Sequence, residues 1–91
     1  MSHEIEFDDK KDAINQAKHG LPLSFAALLF EGDYKEKPDN KRDYGKPRII
    51  AIGPIAGRLC VCVYTWRKGI RRIISLRKAN LRESDAYNKN K

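Results

Sequence analysis

The sequence predicts an α+β fold in which helices pack on an antiparallel sheet. Three observations lead there. Residues near both ends place apolar side chains at helical spacing between capping residues. The stretch from Pro47 to Lys78 divides into three runs rich in β-branched and aromatic residues. Short glycine-containing segments join those runs.

The elements follow in order. Ile5 and Phe7 read either as a short strand or as an anchor. Asp8 or Asp9 is the expected N-cap of a first helix, with acid in its first turn favoured by the helix dipole. Ala13, Ile14 and Ala17 make its narrow apolar stripe, Lys18 and His19 fill its last turn, and Gly20 stands where the chain must turn left-handed. Pro22 and Ser24 open "FAALLF", a short buried helix. "EGDYKEKPDNKRDYGK" is polar and rich in turn formers, with an edge strand expected around Tyr34–Glu36 and then a loop.

Three strands come next: "PRIIAIG", "GRLCVCVYTW" and "GIRRIISLRK". Gly53–Gly57 and Arg67–Gly69 connect them as an antiparallel meander. A last helix runs from about Leu81 to Tyr87, with Asn80 and Glu83 at capping-box spacing. The sheet therefore has three to four strands, with two N-terminal helices and one C-terminal helix on one face. The other face is left for solvent or a ligand. "MSHE" and "NKNK" read as loose ends, and there is no internal repeat.

The 91 residues fit one domain, residues 1–91, with a modest core. The net charge of +7 is uneven. Residues 1–33 hold three Lys/Arg and seven Asp/Glu, while residues 34–91 hold sixteen and five, so −4 gives way to +11. A basic body of this kind suits a polyanion, most simply nucleic acid, although basic surfaces also serve solubility. Cys60 and Cys62 lie two apart, so in a strand they share a face; they make a poor disulfide and lack the partners of a zinc site. Both read as small core residues. No apolar run approaches the ~20 residues of a membrane span, and no segment resembles a signal peptide, so the expected compartment is the cytoplasm.

Strict alternation in "IRRIISLRK" puts Arg71, Ile73, Ser75 and Arg77 on one side. Arg72, Ile74, Leu76 and Lys78 take the side that meets the helices. Arg48 shares a face with Ile50 and Ile52, and Tyr64 and Trp66 share theirs with Cys60 and Cys62.

The ordered set "FDDKKDAINQAKHGL", "RIIAIG", "GRLCVCVYT" and "IRRIISLRKANLRESDAY" resembles the BrnT family of toxins from bacterial type II toxin–antitoxin systems. Phe7, Asp8, Lys11, Asn15, Lys18, His19 and Gly20 match the family's first pattern. Ile73 to Ala79, Glu83 and Tyr87 match its later one. The resemblance covers about Phe7 to Tyr87. It departs at Phe7, where the family usually has Trp, at Ser24, where it usually has an acid, and at Leu76, where it usually has Ala. The resemblance implies a RelE-like fold, a ribonuclease that arrests translation, and neutralisation by a BrnA-type antitoxin. It also implies binding of operator DNA only through that antitoxin.

No zinc or magnesium constellation is evident, so no cofactor is expected. A metal-free ribonuclease uses the 2′-OH of RNA as nucleophile, and the protein positions the strand, neutralises the phosphorane and moves protons. For this chemistry His19, Arg48, Arg71, Arg77 and Glu83 are the expected catalytic residues, and Lys18, Tyr64, Arg72 and Lys78 the expected RNA-binding ones. Arginine suits phosphate because its planar fork binds two oxygens. An imidazole's ordinary pKa near ~6.5 suits His19 to proton transfer. Tyr64 or Trp66 can instead stack a base. Each has a bland reading beside it: His19 as a helix-end residue, Glu83 as a cap, Tyr87 as a packed ring, and the arginines as solvated or ion-paired charges. Two other functions fit the same residues, a nucleic-acid-binding regulatory module without catalysis and a degenerate toxin kept for its antitoxin contacts. A dimeric antitoxin is expected to carry two toxin copies.

Overall fold

The computed structural model of the chain describes residues 4–39 and 47–89. Its elements are β1 (Ile5–Glu6), α1 (Asp9–His19), a 3-10 turn (Leu23–Phe25), α2 (Ala26–Glu31), β2 (Lys35–Asp39), β3 (Arg48–Ile55), β4 (Arg58–Arg67), β5 (Ile70–Lys78) and α3 (Leu81–Lys89). Residues 1–3, 40–46 and 90–91 lie outside the described residues, and with them His3 and the loop expected after the edge strand.

The α+β class holds, and the element count is corrected. Five strands form one sheet in the order β1-β5-β4-β3-β2. β1 is parallel to β5, with Ile5 opposite Arg71 and Glu6 opposite Arg72, so the sheet is mixed rather than antiparallel throughout. A two-residue strand is too short to show a period. The two N-terminal helices are also unequal: an eleven-residue α1, then a 3-10 turn that runs into a six-residue α2.

Local chemistry sets the boundaries. The Asp8 carboxylate accepts from the backbone N–H of Lys10 at 2.7 Å and of Lys11 at 3.4 Å, which fixes Asp8 as the N-cap and holds its carboxyl below the usual range. Asp12 accepts from the N–H of Leu23 at 2.8 Å, so α1 also fastens the 3-10 turn. Both hairpins turn on two successive left-handed residues, Ala56–Gly57 and Lys68–Gly69. β3 therefore continues through Gly53 and Pro54, past the connection the glycines predict. At Gly53 a Cβ would lie 2.8 Å from the Tyr34 Cβ, so this glycine serves close packing rather than a turn.

Residues opposite one another across a ladder share a face. On the first face Ala51, Cys60, Cys62, Tyr64, Ile73 and Leu76 meet Leu23, Ala26, Leu29 and Phe30 to form the core. Both cysteines are free and buried, and burial pushes the Cys62 thiol up to about 12. On the second face Ile50, Ile52, Val61 and Val63 form an apolar floor. α3 crosses this second face, which corrects the expectation that all helices share one side. It stands off the sheet over a cavity of about 210 Å³ that Ile50, Ile52 and Val61 line from below and Ala86 and Tyr87 from above. Tyr87 Oη donates to the Asp33 carbonyl at 2.6 Å, and Lys35 Nζ donates to the Tyr87 carbonyl at 3.1 Å.

β5 carries a bulge. Tyr64 faces Ile73 and Val63 faces Ser75, which leaves Ile74 as the extra residue. The extra residue resets the alternation. Arg71, Ile73, Leu76 and Lys78 lie on the first face, and Arg72, Ser75 and Arg77 on the second. The two sets read from strict alternation are therefore corrected. Just past the bulge, Asn15 grips the outer edge of β5. Its Nδ2 donates to the carbonyls of Leu76 and Leu21, each at 2.8 Å, and its Oδ1 accepts from the Leu76 N–H at 3.1 Å. Asn15 is only 4% exposed, so these bonds satisfy groups that water does not reach.

Candidate nucleic-acid interface

The second face assembles cations from three strands, β2, β3 and β5, in rows set by the register. Arg72 lies opposite Thr65, whose Oγ1 donates to the Pro47 carbonyl at 2.6 Å and so fastens the start of β3 beside it. Arg48 follows Pro47 there, with Asp39 across from it on β2. The next row runs Ser75, Val63, Ile50, Lys37, and the one after it Arg77, Val61, Ile52, Lys35. Lys35, Lys37, Arg48, Arg72 and Arg77 thus border an apolar floor. Thr65 and Val61, their partners on β4, are four residues apart, so Arg72 and Arg77 stand roughly 13 Å apart along the sheet.

Two carboxylates restrain these cations differently. Arg72 meets Glu6 at 3.6 Å in a part-exposed pair, which solvent weakens. Arg77 is held by Glu83 through two bonds of 2.8 Å, a bidentate fork. Glu83 also accepts from the Asn80 N–H at 2.9 Å, while Asn80 Oδ1 accepts from the Glu83 N–H at 2.8 Å. The expected capping box is therefore present, and it aims Arg77. The Arg77 hydrogen bonds, with the Asn80 N–H, hold the Glu83 carboxyl down at about 2. A group so firmly ionised is a poor proton carrier near neutral pH.

Arg71 belongs to a different cluster on the first face. Its guanidinium lies 4.2 Å from the Phe30 ring centre, 4.6 Å from Trp66 and 5.4 Å from Tyr64, and Nη2 donates to Tyr34 Oη at 3.1 Å. Its Nε is buried without a hydrogen-bond partner. Tyr64 Oη donates to Glu36 Oε2 at 2.6 Å. Burial, with Glu36, pushes the Tyr64 phenol up to about 12. Tyr64 is fully buried and cannot stack a base; the exposed ring is Trp66, at 49%.

The remaining expected residues do not join either cluster. α1 begins beside β1 and reaches Leu76 at Asn15, so His19 lies one turn further, roughly 6 Å along the axis. It makes no hydrogen bond to Arg71, Arg77 or Glu83. Lys18 is exposed on the same turn, and Lys78 is exposed at the end of β5. Among the described residues no three His, Cys, Asp or Glu side chains gather as a metal site, and no helix is long and apolar enough to cross a membrane. Sequence reasoning missed Lys35, Lys37 and Thr65 as members of the basic face. The alternation in "YKEK" carries a signal for the two lysines. It missed Glu36 beside Tyr64, for which a separation of 28 residues leaves no local signal.

A family model described as the ribonuclease toxin BrnT of type II toxin–antitoxin systems matches residues 7–83. The chain belongs to the BrnT family. The matched span of this BrnT-family chain includes every cation of the second face and the whole Arg71 cluster. Membership makes it a ribonuclease toxin whose counterpart is a protein antitoxin. No curated protein matches the sequence.

Proposed function

We propose that this BrnT-family toxin cuts RNA on the second face of its sheet, without metal, and is silenced by a BrnA-type antitoxin that covers that face. The observation that carries the reading is the gathering of Lys35, Lys37, Arg48, Arg72 and Arg77 around one apolar floor. Phosphates attract such a surface, and the exposed parts of the floor accept sugars and base edges.

The reaction needs no protein nucleophile. The 2′-oxygen attacks the adjacent phosphorus as its proton leaves, the bond from phosphorus to the 5′-oxygen breaks, and that oxygen takes up a proton. The products are a 2′,3′-cyclic phosphate and a 5′-OH. Arg72 and Arg48 grip the strand at one end, and Arg77, aimed by Glu83, meets the developing phosphorane charge. Glu83 acts as a positioning residue for Arg77. Cleavage of this kind in the cytoplasm arrests translation. In a RelE-like arrangement, a dimeric antitoxin brings two toxins together and carries the complex to operator DNA.

One observation favours a second reading, a nucleic-acid-binding module without catalysis: Glu83 and Tyr64 are both held away from proton transfer near pH 7. Labelled RNA incubated with purified toxin in excess EDTA separates the two. The proposal expects cleavage with 2′,3′-cyclic phosphate ends. Binding with intact RNA supports the module, and cleavage that appears only on adding Mg²⁺ or Zn²⁺ overturns the metal-free step.

A further inference from the structure

α3 is pinned to its surroundings near both ends. In its first turn Glu83 is forked to Arg77. Near its end Tyr87 Oη donates to the Asp33 carbonyl, and the Tyr87 carbonyl accepts from Lys35 Nζ. Between these pins the lining residue is Ala86, whose side chain is one methyl group, so the space over Ile50, Ile52 and Val61 stays unfilled. That space measures about 210 Å³. An apolar cavity of about 150 Å³ holds benzene, so this one has room for a single large side chain or a single base. Its walls are set before anything enters, which lowers the ordering cost of filling it.

The polar groups around the cavity decide between the two occupants. Both Glu83 oxygens accept from Arg77, the Tyr87 hydroxyl is given to Asp33, and Lys35 Nζ is given to the Tyr87 carbonyl. A base brings donors and acceptors on its edge, and burying them unpaired is costly. The floor of Ile50, Ile52 and Val61 offers them no partner. An aliphatic or phenyl side chain needs none. Lys37 stands exposed at the mouth, and Arg72 and Arg77 lie across the floor from it. A positive rim around an apolar hollow suits an apolar group carried among carboxylates. Family membership supplies a protein partner, the antitoxin.

We infer that the cavity between α3 and the sheet is the socket for one large apolar side chain of the antitoxin, carried on a segment whose adjacent carboxylate meets Lys37. Seating that side chain draws its segment across the cations of the second face, where the strand of RNA would lie. The socket rests on the reading that the antitoxin covers this face, and it names the contact that anchors the cover.

The test uses the full toxin with its isoleucine and valine methyls labelled for nuclear magnetic resonance. It is titrated with three capped tripeptides, Glu-Phe-Glu, Glu-Ala-Glu and Lys-Phe-Lys, and with AMP. Glu-Phe-Glu should shift the Ile50, Ile52 and Val61 methyls saturably. The other two peptides should bind at least ~10-fold more weakly, the order set by losing a buried ring or reversing the charge beside it. Val61→Phe fills the cavity from its floor, with circular dichroism as the check on folding. It should weaken both Glu-Phe-Glu and the purified antitoxin by at least ~10-fold, as loss of a central anchor does. Equal binding of the three peptides, or no shift of these methyls, overturns the inference. So does AMP that shifts them at lower concentration than Glu-Phe-Glu, which would give the cavity to RNA. An antitoxin that holds Val61→Phe as tightly as the parent overturns it too. Hydrogen exchange on that complex separates the two failures: protection kept in β2 and β3 removes the socket alone, and no protection there removes the covering reading with it.

Discussion

Arg71 and Arg77 lie six residues apart on one strand and face opposite sides of the sheet, because the bulge at Ile74 intervenes. Arg71 is enclosed by aromatic rings on the core side. Arg77 joins the basic face, forked to Glu83. The bulge thus decides which arginines can share a phosphate path.

Asn15 fastens the strand just beyond that bulge. Asn15→Ala deprives three backbone groups of their partner in a buried place. The expected loss is about 2–4 kcal/mol, read as a lower denaturation midpoint in urea. An unchanged midpoint would mean that the bulge is held by the strand itself.

Salt separates the two faces. In binding to a non-cleavable single-stranded RNA, Arg72→Ala should reduce the log–log salt slope by roughly 0.7, the contribution of one phosphate contact. Arg71→Ala should leave that slope in place and instead lower stability by about 1–2 kcal/mol, from lost cation–π and packing contacts. The reverse pattern would place the phosphate path on the first face.

Glu83 sets an acid limit. Its folded pKa, about 2, lies below the ordinary value of 4.5. The fork and cap therefore contribute their full stability above about pH 4.5 and lose it as pH falls toward 2. Wild type should exceed Glu83→Gln in denaturant stability near pH 6, and the gap should close over that window. A gap constant from pH 6 to pH 2 would remove the charge from the explanation.

Much of this was legible in the sequence because its causes are local. Asp8, Gly20 and the Asn80–Glu83 pair mark helix ends by their own hydrogen bonding, and the Cys60–Cys62 spacing gives a shared buried face. What was not legible depends on distant partners. "RIISLR" reads as plain alternation, and the strand just past the bulge is held by Asn15, 61 residues from Leu76. α3 crosses to the second face through Tyr87 and Asp33, 54 residues apart. The pairing of Arg71 with Tyr34 and of Tyr64 with Glu36 likewise crosses the sheet.

The antitoxin should leave a footprint on the basic face. Hydrogen exchange of free and antitoxin-bound toxin is expected to show new protection in β2 and β3 and at α3, where a covering partner excludes water. Protection confined to α1 and α2 would exclude direct occlusion and favour inhibition at a distance.

The most direct test of the second-face site is cleavage of labelled RNA in EDTA by an Arg48→Ala/Arg72→Ala variant, with circular dichroism as the check on folding. The variant is expected to fold like the parent and to cleave at least ~100-fold more slowly, since the two groups that grip and position the strand are removed. A folded double variant that cleaves at the parent's rate would contradict the assignment of the ribonuclease site to this face.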